Sequence, residues 1–314
     1  MPLPWARPTP LLLAPMQGLT NRALRAVVAD LARPDVLFTE FVRVRPGSST
    51  PVVASDLVEA TTEVPGVPLV VQVIGSADEG VVEATADLVA RGVQHVNVNM
   101  GCPWGRMTAV LAGGGMFRAP ESVAPMLREL RAIVPGSLSV KTRSGIDDER
   151  ELLGLLPAFA EGGIDFLVLH ARTVKQKYHG DANHRLTAEV VRESPFPVIA
   201  NGDIRTASDA SRVLETTGAA GLMLGRGAVA DPWLFARIRG ELPERPEGAG
   251  RQAELGAFWA RLLDGYADLF SGDAQILAKL HAVMLHAEDE DLRRWVKSLK
   301  KQKSLVKLRD ALRV

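Results

Sequence analysis

Asn99, Gly101, Cys102 and Pro103 present the chain's single cysteine at the end of an apolar, β-rich run, Gln94-His95-Val96-Asn97-Val98. A lone cysteine cannot close an internal disulfide, so this thiol serves either packing or reactivity; free cysteine is among the most buried residue types. Gly101 permits backbone angles that other residues avoid, Pro103 stiffens the exit, and Asn99 brings a polar group into an apolar run. Both uses stay open on these residues alone. Similar polar groups follow other short runs: Pro15-Met16, Glu40, Gln72, Lys141 with Arg143, His170 with Arg172, Asn201-Gly202-Asp203 and Gly225-Arg226-Gly227. A lysine closing one strand usually reaches solvent, and one histidine usually fills a core. Polar groups behind nearly every run would instead ring one mouth of a barrel.

The elements that must carry these groups are eight short runs, at 11–14, 36–39, 69–73, 95–98, 138–141, 166–170, 198–200 and 221–224. Helical stretches such as 21–31, 77–91 and 120–133 separate them, with Ser76 and Asp78 as candidate caps for the helix after the third strand. Near-continuous apolar strands alternating with helices imply a parallel sheet buried on both faces. Eight such units predict an α/β fold of the (β/α)8 TIM barrel type, in which functional residues collect at the C-terminal strand ends. An open doubly wound sheet would carry a glycine fingerprint after its first strand. Ala14-Pro15-Met16-Gln17-Gly18 does not match one.

The last two strand ends resemble a phosphate site. Glycine lets backbone approach a phosphate closely, the positive end of a short helix can follow, and Arg226 can add a charge-assisted contact. Lys141 and Gln72 then suit a ring system lying across the mouth, the lysine balancing negative charge on a reduced flavin.

Composition sets the boundaries. The chain has 314 residues, 46% of them apolar, and a formal net charge of +0, which excludes global attraction to nucleic acid or membrane. No apolar run reaches membrane-spanning length, the N-terminus lacks a signal-peptide pattern, and the single cysteine suits the cytoplasm. The six histidines show no ligand spacing, so no metal site is expected.

Three regions follow: a catalytic barrel over 1–240, a linker over 241–250 and a C-terminal all-helical domain over 251–314. Phe258, Leu262, Leu263 and Tyr266 fall on one helix face as a core stripe. The chain from 292 to 314 holds nine Lys or Arg against Asp310. That segment reads as an amphipathic face packed through Trp295, Leu299, Leu305, Val306 and Leu312, or as a phosphate-contacting surface.

Taken in order, Ala14-Pro15-Met16, Thr39-Glu40-Phe41, Gln72, Asn99-x-Gly101-Cys102-Pro103, Lys141-x-Arg143, His170-Ala171-Arg172-Thr173, Asn201-Gly202-Asp203 and Gly225-Arg226-Gly227 resemble the tRNA-dihydrouridine synthases. Phe41-Val42-Arg43-Val44 resembles their bacterial C-type branch, which modifies position 16 of the tRNA D-loop. The resemblance implies FMN held by Pro15, Met16, Gln72, Lys141, His170, Asn201, Gly202, Asp203, Gly225 and Arg226, with NADPH as electron donor. It implies that reduced flavin N5 gives hydride to uracil C6 while Cys102 protonates C5, and that Asn99 helps hold the uracil. Arg43, Arg143, Tyr178, Lys279, His281 and His286 are then expected to contact tRNA. Trp104-Gly105-Arg106 departs from the family pattern; Arg106 is read as the displaced basic contact, and Trp104 as a residue that packs or, as the alternative, stacks on a base. A monomer with no obligate protein partner is expected. The alternatives are an FMN barrel reducing or oxidising a free pyrimidine, as dihydroorotate dehydrogenases do, and a tRNA-binding protein without catalysis.

Overall fold

Each apolar run becomes a strand because its side chains can be buried on both faces of a parallel sheet. The computed structural model describes residues 3–76, 80–104 and 111–313. Its strands are β1 (Leu11–Leu13), β2 (Leu37–Phe38), β3 (Val42–Arg43), β4 (Leu69–Ile74), β5 (His95–Met100), β6 (Leu138–Arg143), β7 (Phe166–His170), β8 (Val198–Asn201) and β9 (Gly221–Leu224). All pairings are parallel, in the order β1-β9-β8-β7-β6-β5-β4-β2, and a bridge between Leu12 and Val36 closes the ring.

β2 and β3 are two pieces of one barrel strand. Phe38 pairs with Val70 and Val42 with Val73, so three residues, Thr39 to Phe41, face two on β4. This is a one-residue bulge, which bends a strand and re-aims its side chains. It brings the Glu40 carboxylate to the Gly18 N–H at 2.8 Å.

Alternation sorts the side chains. Outward residues such as Val71, Val96, Val140, Leu167, Leu222 and Leu224 enter the cores shared with the helices. Inward residues Leu12, Phe38, Val70, Phe166, Val168, Ile199 and Met223 plug the lower barrel. Trp5 seals this plug edge-on to Phe166, with centroids 4.8 Å apart. Above the plug the inward positions turn polar: Gln72, Asn97, Asn99, Ser139, Lys141, His170 and Asn201.

The outer helices are α1 (Arg22–Ala32), α2 (Ala54–Thr61), α3 (Val81–Ala90), α4 (Val123–Ile133), α5 (Glu151–Glu161), α6 (His184–Glu193), α7 (Ala207–Thr217), α8 (Arg226–Ala230) and α9 (Leu234–Ile238). The N-cap of α3 is Gly80 rather than Ser76, because the helix opens later than its apolar pattern; Asp78 lies outside the described residues.

Four C-terminal helices follow: α10 (Gly248–Leu269), α11 (Asp273–Met284), α12 (Arg293–Leu299) and α13 (Leu305–Leu312). Helix α10 opens inside the stretch read as linker. Phe258, Leu262, Leu263 and Tyr266 are buried in one continuous core with Leu24 and Val28 of α1. Trp295 stacks on Trp259 at 5.2 Å. Val306 is exposed and Leu308 is buried in its place, since helical spacing from Leu305 leads to Leu308 and Leu312. A buried ionic cluster ties this layer to the barrel: Arg251 reaches Asp289 at 3.3 Å and Glu254 at 3.2 Å, and Arg237 reaches Asp231 at 3.0 Å and Glu254 at 2.6 Å. No helix of the described residues is long and apolar enough to cross a membrane.

Candidate active site

The cysteine loop is held from below by a chain of buried amides. Asn99 Oδ1 accepts the N–H groups of Gly101 at 3.0 Å and Cys102 at 2.9 Å. Asn99 Nδ2 donates to Gln72 Oε1 at 2.8 Å, Gln72 Nε2 to Asn97 Oδ1 at 2.7 Å, and Asn97 Nδ2 to Ser139 Oγ at 2.8 Å. Strand pairing sets Gln72 beside Asn97 and Asn97 beside Ser139, so the chain follows from register. Gln72 is therefore fully buried, with both ends of its amide engaged, and lines neither half of the cleft. Among the described residues Asn99 has one N–H without a partner, open to a ligand.

Cys102 lies in the cleft wall, largely buried. Burial pushes its thiol above the ordinary range, against the opposing pull of the Trp104 backbone N–H and of Arg143. The group is thus a thiol at neutral pH. Gly113, in the left-handed region at φ 54°, supports it from behind; a Cβ there would approach Cys102 Cβ to 2.9 Å.

Two lobes of one cleft meet across the mouth. The first is lined by Asn201, Gly202, Asp203, Gly225 and Arg226, and the second by Asn99, Cys102, Pro103, Trp104 and Arg143. Pro15, Met16, Lys141, His170, Tyr178 and Arg226 line both. The second lobe, about 490 Å³ in volume, has no carboxylate among the described residues that line it.

Lys141 has no hydrogen-bond or ion-pair partner among the described residues, and burial beside Arg143 lowers its pKa to about 7. His170 Nε2 lies 2.9 Å from Arg172 Nη1. A guanidinium can only donate, so Nε2 accepts and the ring proton sits on Nδ1. Burial, then Lys141, Arg143, Arg172 and Arg226, keep the imidazole neutral, well below its usual pKa. Arg172 also donates to Asp203 at 2.7 Å, and Arg226 approaches the same carboxylate at 3.4 Å. Burial opposes ionisation of Asp203, but the Ala182 N–H and these two arginines outweigh it and hold the carboxyl below its ordinary range.

The sequence alone gives Arg172 no role and does not single out Asn97. The signal for Arg172 was the distant Asp203; the signal for Asn97 was a second polar residue two positions before Asn99, on the same inward register.

Arg143 is spent on backbone. Its Nε donates to Gly101 O at 2.9 Å, and Nη1 to Thr173 O at 3.0 Å and Lys177 O at 2.7 Å. It bolts the cysteine loop to the loop carrying Tyr178, whose half-exposed ring lies between Arg143 at 5.5 Å and Arg226 at 5.0 Å. Trp104 does not pack: it is 57% exposed. Of the remaining candidates, His286 lines the thiol lobe. Lys279 lies in a separate groove with Glu40, Arg22 and Glu59, its ammonium 5.2 Å from the Phe270 ring. Arg43 and His281 line neither, and Arg106 lies outside the described residues.

The dihydrouridine synthase family model matches residues 12–313 of this chain. The chain belongs to the dihydrouridine synthase family. It is 33% identical over 315 aligned positions to a tRNA-dihydrouridine(16) synthase of Ralstonia nicotianae, covering 96% of this chain and 91% of that protein. It is 36% identical to the protein of the same name from Cupriavidus necator, covering 75% of each. A tRNA-dihydrouridine synthase B of Vibrio cholerae is 37% identical over about half of each chain, 54% of this one and 53% of that. In fold, it is similar to histamine dehydrogenase from Rhizobium sp. 4-9, with a TM-score of 0.57 at 11% identity, covering 83% of this chain and 50% of that one.

Proposed function

We propose that this protein reduces the C5=C6 bond of a uridine in the tRNA D-loop, at position 16, using FMN and drawing electrons from NADPH. The names of its relatives support the substrate and the position. The carrying observation is the continuous cleft itself, with a glycine-containing cradle at one end, a protonated thiol at the other, and an unpartnered lysine and a neutral histidine between them.

The residues fit FMN. Gly202 sits at φ 121°, where a Cβ would run into Ala182 at 2.8 Å and His170 at 3.0 Å, so its backbone lies bare in the cradle. Arg226 can supply the phosphate with a charge-assisted contact. The orphaned Lys141 ammonium suits a ring that gains negative charge, and His170 offers a neutral Nδ1–H donor. When bound, FMN would supply the hydride for uracil C6 from NADPH. Pro15, Met16, Asn201, Gly202, Asp203, Gly225 and Arg226 would anchor it, with Gln72 acting through Asn99 rather than by contact.

Cys102 Sγ then gives its proton to C5. A thiol kept above its ordinary pKa is loaded for this step at neutral pH, and Arg143 stabilises the thiolate that remains until solvent restores the proton. The remaining N–H of Asn99 is placed to donate a hydrogen bond to the uracil. The target base must leave its stack to arrive here.

The polyanion meets a cationic face. Arg294, Lys297, Lys301, Lys303 and Lys307 are exposed and have no carboxylate partner among the described residues, whereas Arg309 pairs with Asp264. Arg43, Lys279, His281 and His286 are the further contacts we assign to tRNA. One chain carries cradle, thiol and cationic face, which supports a monomer as the working unit, and a tRNA substrate supports a reaction in the cytoplasm. Mapping dihydrouridine in tRNA from cells lacking this protein tests the reading: loss confined to position 16 is expected, and an unchanged map overturns it.

A further inference from the structure

Trp104 follows the catalytic thiol by two residues, yet its indole is 57% exposed and it lines the same lobe of the cleft as Cys102. Among the described residues its aromatic-face partner is the Lys177 ammonium, 5.1 Å from the ring centroid. Lys177 itself sits in an uncommon backbone state, φ 52°, with its carbonyl bound by Arg143 Nη1 at 2.7 Å. The same arginine grips Gly101, three residues before Trp104, at 2.9 Å. Indole and ammonium are therefore fixed to one bolt. An exposed tryptophan beside a cation, in a lobe with no carboxylate among its described lining residues, has the chemistry that takes up a nucleobase face and its phosphate.

We propose that Trp104 and Lys177 form a stacking clip for a nucleotide flanking the target uridine, the indole receiving the unstacked base and the ammonium its phosphate. This rests on the tRNA reading above and adds to it a residue that departs from the family pattern. Extruding a base costs stacking on both of its neighbours. A ring waiting at the lip of the thiol lobe returns part of that cost to one neighbour, so Trp104 acts on tRNA binding rather than on the proton transfer.

The test is a binding cycle between Trp104 and the RNA, read by fluorescence anisotropy with labelled tRNA transcripts and the full-length protein. Transcripts carry an abasic nucleotide at each position flanking the target in turn. With intact tRNA, W104A weakens Kd by about 5- to 150-fold, the range of one base–aromatic stack, while W104F recovers most of the loss. At one flanking position the abasic change weakens the wild type comparably and W104A no further. K177M lowers the slope of log Kd against log salt by about 1.

Binding of W104A within twofold of wild type overturns the proposal, as does a multiplicative loss at every flanking position. Dihydrouridine formed by the wild type on the same transcript reports on the reaction separately. Coupled binding without dihydrouridine overturns the proposed reaction and keeps the clip; dihydrouridine without coupling overturns the clip alone.

Discussion

Substituting Arg143 by lysine keeps the charge and removes the fork. The guanidinium makes three hydrogen bonds, to Gly101 O, Thr173 O and Lys177 O, at 2.9, 3.0 and 2.7 Å. A lysine ammonium is a point donor on a flexible stem and can keep one of these geometries. Two charge-assisted bonds are then lost, at about 1.5–3 kcal/mol each, for a total of about 3–6 kcal/mol. All three carbonyls belong to loops, so part of the loss appears as loosening of the cysteine loop against the Tyr178 loop. Misplacing a reacting group by about 1 Å costs about 100-fold in rate. R143K is therefore expected to lower urea stability by several kcal/mol, to speed amide exchange at Gly101 and Cys102, and to cut kcat for dihydrouridine formation about 100-fold. R143M should leave the salt slope of tRNA binding unchanged, whereas a phosphate contact would lower it by about 1. An R143K protein within 1 kcal/mol and threefold of wild type would refute the bolt.

Three further outcomes follow from the same geometry. Lys141 loses its proton above pH 7 in the free protein, so binding reduced FMN there takes up a proton, and Kd rises by up to tenfold per pH unit between 7 and 9. Anaerobic calorimetry in two buffers reads this directly; K141M should show neither proton uptake nor slope, and a slope that persists in K141M contradicts the assignment. R251M leaves the buried Asp231 and Asp289 short of their partner and should cost about 3–5 kcal/mol in urea unfolding, whereas R261A, at an exposed pair, should stay within about 1 kcal/mol; equal costs would dismiss the ionic tie between barrel and helices. Replacing Lys297 and Lys301 by glutamine should lower the salt slope of tRNA binding by up to about 2, and an unaltered slope removes α12 from the RNA-binding face.

The barrel was readable because buried parallel strands write themselves as continuous apolar runs, and the order of polar residues behind them survived folding intact. What escaped depended on contacts between distant residues. Gln72 looked like a ring ligand because it ends its run; register with Asn97 turns it into a buried support for Asn99. The split of the second strand was hidden because each piece is two residues long and the bulge at Thr39 to Phe41 has no sequence mark of its own. Ser76 looked like a cap, but α3 starts at Val81, beyond its reach. Trp104 reads as core by residue type, and only the folded loop shows it open to solvent. Arg172 and Asp203, 31 residues apart in sequence, become partners at 2.7 Å.

In the proposed reaction a protonated Cys102 delivers the proton to C5 of a tRNA uridine. Single-turnover formation of dihydrouridine, by protein loaded with reduced FMN and saturating tRNA, isolates that step from reduction of the flavin. C102A should form dihydrouridine at position 16 about 10²- to 10⁴-fold more slowly than wild type. A C102A rate within threefold of wild type would contradict the assignment of the thiol as the acid.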